Sequence, residues 1–114
     1  MKKTYLILLM AVLTIFLISC NGASKEFAQC LTEKGVKMYG ADWCPHCKEQ
    51  KLLFGSSFSE VNYIECALEG GGQREVCNFA GITSYPTWVF EDGTREVGKL
   101  SLEDLSLRSG CLLE

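Results

Sequence analysis

The 114-residue chain predicts an α/β domain built on one four-stranded mixed sheet flanked by helices. Three observations lead there. Residues 36–66 read as strand, helix, strand, a unit that pairs its strands in parallel through a right-handed crossover. Residues 87–97 hold two short strand-like runs around Glu91-Asp92-Gly93-Thr94, the pattern of an antiparallel hairpin. Helical periodicity flanks both units. The order helix, β-α-β, helix, β-β, helix places a single sheet between helical layers.

Each element has its own signals. Over residues 26–34, Phe27, Cys30 and Leu31 share one helical face, Ser24 can cap the start and Gly35 the end. Residues 36–39 form a short strand, after which Gly40 and Ala41 make room for a turn. Residues 45–54 form a helix with Leu52, Leu53 and Phe54 as its apolar contacts, and Gly55-Ser56-Ser57 breaks it. Pro45 fits its first turn, where the missing N–H needs no partner. A strand over 61–66 and the flexible loop Glu69-Gly70-Gly71-Gly72 follow. A short helix over 73–80 carries Val76, Cys77, Phe79 and Ala80. After the hairpin, Ser101 caps a last helix with acids in its first turn, and Gly110 closes it. No repeat or low-complexity segment interrupts this order.

The N-terminus is set apart. Lys2 and Lys3 precede an apolar run over residues 5–18, too short for the roughly twenty residues that span a bilayer core and of the length of a signal-peptide core. Leu17-Ile18-Ser19-Cys20 resembles the lipobox of bacterial lipoproteins, which implies cleavage before Cys20 and diacylglycerol on its sulfur. Residues 1–19 are then a signal peptide, 20–25 a lipidated tether and 26–114 the domain. The expected location is extracytoplasmic, lipid-anchored to the cell membrane. An ordinary secretory signal, or an uncleaved anchor, is the alternative. Without Lys2 and Lys3 the chain holds nine basic against 14 acidic side chains. It has no basic patch for nucleic acid, so any membrane attachment comes from the lipid and not from charge.

The chemistry centres on Trp43-Cys44-Pro45-His46-Cys47. Two thiols with this spacing can close a small disulfide and exchange it with another thiol pair. Cys44 stands where a strand hands over to a helix, and the helix N-terminus favours its thiolate, the reactive form. Cys47, one turn inward, is the shielded resolving thiol, and protonated His46 can add positive charge near Cys44. The same spacing also serves zinc sites, which here would need Cys66 and Cys77 as further ligands.

Together with Tyr85-Pro86-Thr87 and the element order, this motif resembles the thioredoxin superfamily. The stretches Lys37-Met38-Tyr39-Gly40-Ala41-Asp42-Trp43-Cys44-Pro45-His46-Cys47 and Gly81-Ile82-Thr83-Ser84-Tyr85-Pro86-Thr87-Trp88 are most similar to the thioredoxin-like domain associated with bacterial and plant vitamin K epoxide reductase homologues. The resemblance implies a cis Tyr85–Pro86 bond lying against the dithiol. It implies Cys44, Cys47, His46 and Pro86 as catalytic residues, and Trp43, Tyr85 and Thr87 around the substrate. Trp43 is expected beside the site and Trp88 in the core. The chain departs from the superfamily at Met38, which stands where thioredoxins carry a buried acid, six residues before the first cysteine.

With Cys20 lipidated, six cysteines remain, an even number that suits an exported disulfide-bonded domain. Cys66 ends a strand and Cys77 lies on the next helix across a glycine-rich loop, and related domains carry an extra pair in this region. Cys30 and Cys111 are then left to each other. The expected function is a membrane-tethered protein disulfide oxidoreductase that oxidises thiol-containing secreted proteins and is reoxidised by a quinone-linked membrane partner of the vitamin K epoxide reductase type. It is expected to work as a monomer with no cofactor beyond the Cys44–Cys47 disulfide. Alternatives are a reductase or isomerase of the same fold, or a non-catalytic binding or zinc-holding module.

Overall fold

The computed structural model describes residues 1–5, 7 and 22–113. The elements are α1 (Lys25–Glu33), β1 (Lys37–Gly40), α2 (Pro45–Phe54), a 3-10 segment (Gly55–Glu60), β2 (Tyr63–Glu65), α3 (Glu75–Phe79), β3 (Thr87–Val89), β4 (Arg95–Val97) and α4 (Leu102–Ser109). The sheet runs in the order β2-β1-β3-β4. β1 pairs with β2 in parallel, while β1 with β3 and β3 with β4 are antiparallel. This is the mixed α/β sheet of a thioredoxin-like fold.

Alternation along β1 separates two cores. Met38 faces a larger core shared with Phe27, Leu31, Phe54, Trp88 and Leu105, side chains brought by α1, α2, β3 and α4. Tyr39 faces a smaller one with Cys66, Cys77 and Ile82, covered by α3. Each core is close to one disulfide. Cys66 is bonded to Cys77 across 11 residues, and Cys30 to Cys111 across 81. In the chain-entropy model the two cross-links contribute about 3 and about 4.5 kcal/mol.

Local chemistry explains the helix ends. Ser24 Oγ accepts from the Phe27 N–H and Ser101 Oγ from the Asp104 N–H, each capping an N-terminus. Gly110 closes α4 in the left-handed region at φ 76°. Ala23, which falls within the span expected as a tether, is buried and its N–H donates to the Leu53 carbonyl. Two expectations change. The helix over 45–54 buries Cys47, Gln50 and Phe54 but leaves Leu52 exposed, since Leu52 lies off the face that carries the other three. The glycine at 55 redirects the chain into the 3-10 segment rather than ending the helical stretch outright. Most of residues 1–21, Cys20 included, lies outside the described residues, so the leader and lipidation expectations are not seen in the fold.

One buried polar residue ties the two halves of the larger core. Gln50, fully buried on α2, accepts from Trp88 Nε1 at 3.1 Å and from the Leu100 N–H at 2.8 Å. Its own amide donates to the Leu100 carbonyl at 3.0 Å. Gln50→Leu keeps the volume but strands the indole N–H and both Leu100 backbone groups. We expect a loss of about 2–4 kcal/mol, read from urea unfolding, because an orphaned buried polar group costs about 1–3 kcal/mol.

Candidate active site

The junction of β1 and α2 builds the site. Cys44 is the N-cap of α2, with Pro45 at its first position, and the Cys44 sulfur accepts from the Cys47 N–H at 3.4 Å. Cys44 and Cys47 are not bonded to each other, so the pair is in its dithiol form. The Cys44 thiol is 4% exposed and donates to the Tyr85 carbonyl at 3.6 Å, while Cys47 is fully buried. One sulfur thus lies at the rim and the other beneath it. Burial pushes the Cys47 thiol up to about 12; Cys44 adds to the rise, against the Ala41 backbone and Lys51.

The Tyr85–Pro86 bond is cis. Pro86 itself is buried, and the turn presents the Tyr85 carbonyl to Cys44. Trp43 is 63% exposed and stands edge-on to Tyr85, ring centroids 5.9 Å apart. The Tyr85 hydroxyl donates to the Gln73 side-chain carbonyl, which anchors that ring to the loop before α3. Thr87, expected near the substrate, is buried, and its hydroxyl donates to the Ser84 carbonyl at 2.7 Å. Its side chain therefore braces the proline turn instead of facing outward.

His46 lies exposed on the surface of α2. Its Nδ1 lies 3.5 Å from Glu49 Oε2, and Lys99 Nζ reaches the same carboxylate oxygen at 3.4 Å. Lys99, and then His46, hold the Glu49 carboxyl below its ordinary range. Any positive charge on His46 is thus partly offset by Glu49 before it acts on Cys44.

Beneath the dithiol the chain supplies polar groups that sequence reasoning passed over. Met38, Gly40, Tyr63 and Glu65 share one face of the sheet, because Met38 is in register with Tyr63 and Gly40 with Glu65. Met38 is fully buried and apolar. Tyr63 donates to Glu65 Oε2 at 3.1 Å, and that oxygen also accepts from the Cys66 N–H at 3.0 Å. Lys51 Nζ sits 4.1 Å from the Tyr63 ring centroid. A Cβ on Gly40 would fall 3.1 Å from Cys47 Sγ, 3.1 Å from the Tyr63 hydroxyl oxygen and 2.9 Å from its ring. Gly40 therefore holds open the space in which sulfur and phenol meet. The Tyr-x-Glu alternation on β2 was the available signal.

Cys66 and Cys77 are bonded to each other and fully buried, so they are not a second ligand pair for a metal held by Cys44 and Cys47. Among the described residues no group of three or more His, Cys, Asp or Glu side chains is gathered for a metal ion. Among those residues, too, no helix is long and apolar enough to cross a membrane.

Fold and site together define a thioredoxin-like domain with a cysteine pair at the N-terminus of a helix. The chain is similar to the thiol-disulfide oxidoreductase LTO1 of Arabidopsis thaliana, 39% identical over 92 residues. The match takes in 76% of this chain and 24% of that protein, so the chain spans about a quarter of its relative's length. Among solved structures it matches oxidised mitochondrial thioredoxin 3 from Saccharomyces cerevisiae, at 22% identity and a TM-score of 0.35 over 67% of this chain and 74% of that one. That overlap is too loose to bear on function. No family model matches the chain.

The raised Cys47 thiol has a direct consequence for labelling. A thiol pushed up to about 12 stays protonated, and therefore unreactive, at pH 8. In a Cys44→Ser variant, iodoacetamide at pH 8 should leave Cys47 unmodified in the native protein and label it after unfolding, as read by intact mass.

Proposed function

We propose that the domain is a protein thiol-disulfide oxidoreductase in which Cys44 exchanges with the partner and Cys47 resolves. The observation that carries this reading is the pairing of a rim thiol capping α2, against the Tyr85 carbonyl, with a buried thiol one turn inward. In the oxidising direction a substrate thiolate attacks Cys44 Sγ, the Cys44–Cys47 bond breaks, and Cys47 leaves and takes up a proton. A second substrate thiolate then attacks the mixed disulfide and expels Cys44 as thiolate. The substrate loses two electrons and the pair gains them, with no further cofactor. The exposed Trp43 and the Tyr85 edge form the surface on which a peptide rests. The similarity to a plant thiol-disulfide oxidoreductase supports the reaction class.

The finer reading is a net oxidant on the outer face of a membrane. Cys20 carries its lipid, secreted chains are its substrates, and a quinone-linked partner of the vitamin K epoxide reductase type accepts its electrons. Pro45-His46 in place of a more reducing dipeptide supports the direction, and the apolar run ending at Cys20 supports the location.

Oxidised protein should restore disulfides to a reduced, unfolded substrate protein, and Cys44→Ser should abolish this. Against a glutathione buffer the pair should equilibrate well above −270 mV; a value that low would mark a reductase instead. His46→Gly should make the disulfide less oxidising and Glu49→Gln should make it more oxidising, each by up to about 30 mV, a tenfold change in equilibrium constant. Separately, Cys20→Ser should abolish incorporation of labelled fatty acid in a bacterial host. A wild-type protein that takes up no label would remove the lipid anchor from the proposal.

A further inference from the structure

Cys47 poses a problem that the dithiol alone does not solve. Its sulfur is fully buried, yet it must lose a proton to attack a mixed disulfide and regain one when it leaves. Met38, two residues before Gly40 on the same face of β1, is apolar and can do neither. The groups that face the buried sulfur are few. Cys44 and Lys51 come from α2, and Tyr63 from β2 lies across the space left by Gly40. Tyr63 in turn faces Glu65 on its own strand, Asp42 in the β1–α2 loop and Lys51 over its ring. Tyr85 is also near, but its hydroxyl is committed to Gln73.

We propose that Tyr63 and Glu65 form the proton relay of Cys47, a polar path running from the buried sulfur through the phenol to a half-buried carboxylate. The inference rests on reading Cys44 and Cys47 as a redox pair. Two observations carry it. The Tyr63 oxygen and Cys47 Sγ each lie 3.1 Å from the same point beside Gly40, so they are at most about 6 Å apart, a span that one bridging water closes. The Tyr63 O–H already points to Glu65, at 3.1 Å. Burial, with Glu65 and Cys47 after it, raises the Tyr63 phenol, so the Cys47 thiol and the phenol are both neutral at ordinary pH.

In the resolving direction, Cys47 S–H passes its proton, through one bridging water, to the Tyr63 oxygen while the Tyr63 O–H passes its own to the Glu65 carboxylate. The electron pair freed on Cys47 Sγ forms the bond to Cys44 Sγ. The bond from Cys44 to the partner sulfur breaks, and the partner leaves as a thiolate. Cys44 and Cys47 are oxidised by two electrons and the partner disulfide is reduced by two. When Cys47 is the leaving group the protons run backwards, from Glu65 through Tyr63 to the nascent thiolate. Glu65, partly exposed, exchanges its proton with water between turnovers. Tyr63 keeps its hydroxyl in the chain at every stage and never has to persist as a phenolate.

The test uses the full chain in its reduced form and the aromatic disulfide dithionitrobenzoate. Attack by Cys44 releases one thionitrobenzoate, and attack by Cys47 on the resulting mixed disulfide releases a second, so two phases separate the two thiols. Tyr63→Phe retains the ring against Lys51 and Phe58 and removes only the hydroxyl. We expect its first phase within twofold of wild type. Its second phase should be slowed about 100-fold near pH 7, the usual scale of a lost general acid–base group, with the gap closing as pH rises. Glu65→Gln should give the same signature, and the double variant no further loss. A second phase within twofold of wild type at every pH overturns the relay, as does a slowing of both phases by the same pH-independent factor, which marks a structural role. A wild type that releases only one thionitrobenzoate overturns the redox-pair reading itself.

Discussion

The site depends on the close approach of helix α2 to strand β1. β1 is paired on both edges, so its backbone cannot yield. The first turn of α2 drops Cys47 onto the strand's last residue, and that residue has to be glycine. A single added carbon there would lie 3.1 Å from the sulfur and 2.9 Å from the Tyr63 ring, closer than such contacts pack. From this contact follow the burial of Cys47, the placement of Cys44 as N-cap at the rim, and the seating of the Tyr85–Pro86 turn opposite. The pair is thereby asymmetric, with Cys44 keeping 4% exposure and Cys47 none.

Around the contact the fold spends polar groups sparingly. Gln50 satisfies three groups from two other segments inside the larger core, and the Glu65 carboxylate gathers a phenol and backbone N–H groups at the sheet edge. Both lie on the α2 side of the sheet, flanking the dithiol. The opposite side holds the Cys66–Cys77 disulfide and a smaller set of apolar side chains. One layer is therefore chemically equipped and the other is structural.

Much of this was legible in the chain. Strand and helix order, the two N-cap serines and the terminal Gly110 follow from local rules that act within a few residues, and the structure agrees with them. The cysteine motif was equally plain, because spacing and a neighbouring proline fix it. What escaped were roles created by register. Nothing in a linear reading says that Gly40 stands opposite Glu65, or that Tyr63 and the Cys47 sulfur flank the same space beside Gly40; those are properties of strands paired in space. Gln50 was hidden for a similar reason. A glutamine on a helix reads as surface until its partners, Trp88 and Leu100, are brought from 38 and 50 residues away. Leu52 failed in the opposite sense, an apolar residue that the helix phase leaves outside. His46 has the expected position in the motif, with its ring nitrogen set against Glu49.

The Cys30–Cys111 bond turns the greater part of the domain into a covalent ring. Force applied at the N-terminal side, where a chain fixed to a surface would be pulled, enters at Ala23 and α1 and passes through that bond to the end of α4. It bypasses the strands. The sheet and the dithiol junction it carries are thus shielded from tension by the cross-link, and a protease cut in any loop between Cys30 and Cys111 would leave both pieces joined. In a reducing environment this mechanical insulation disappears, although every residue of the site remains in the chain.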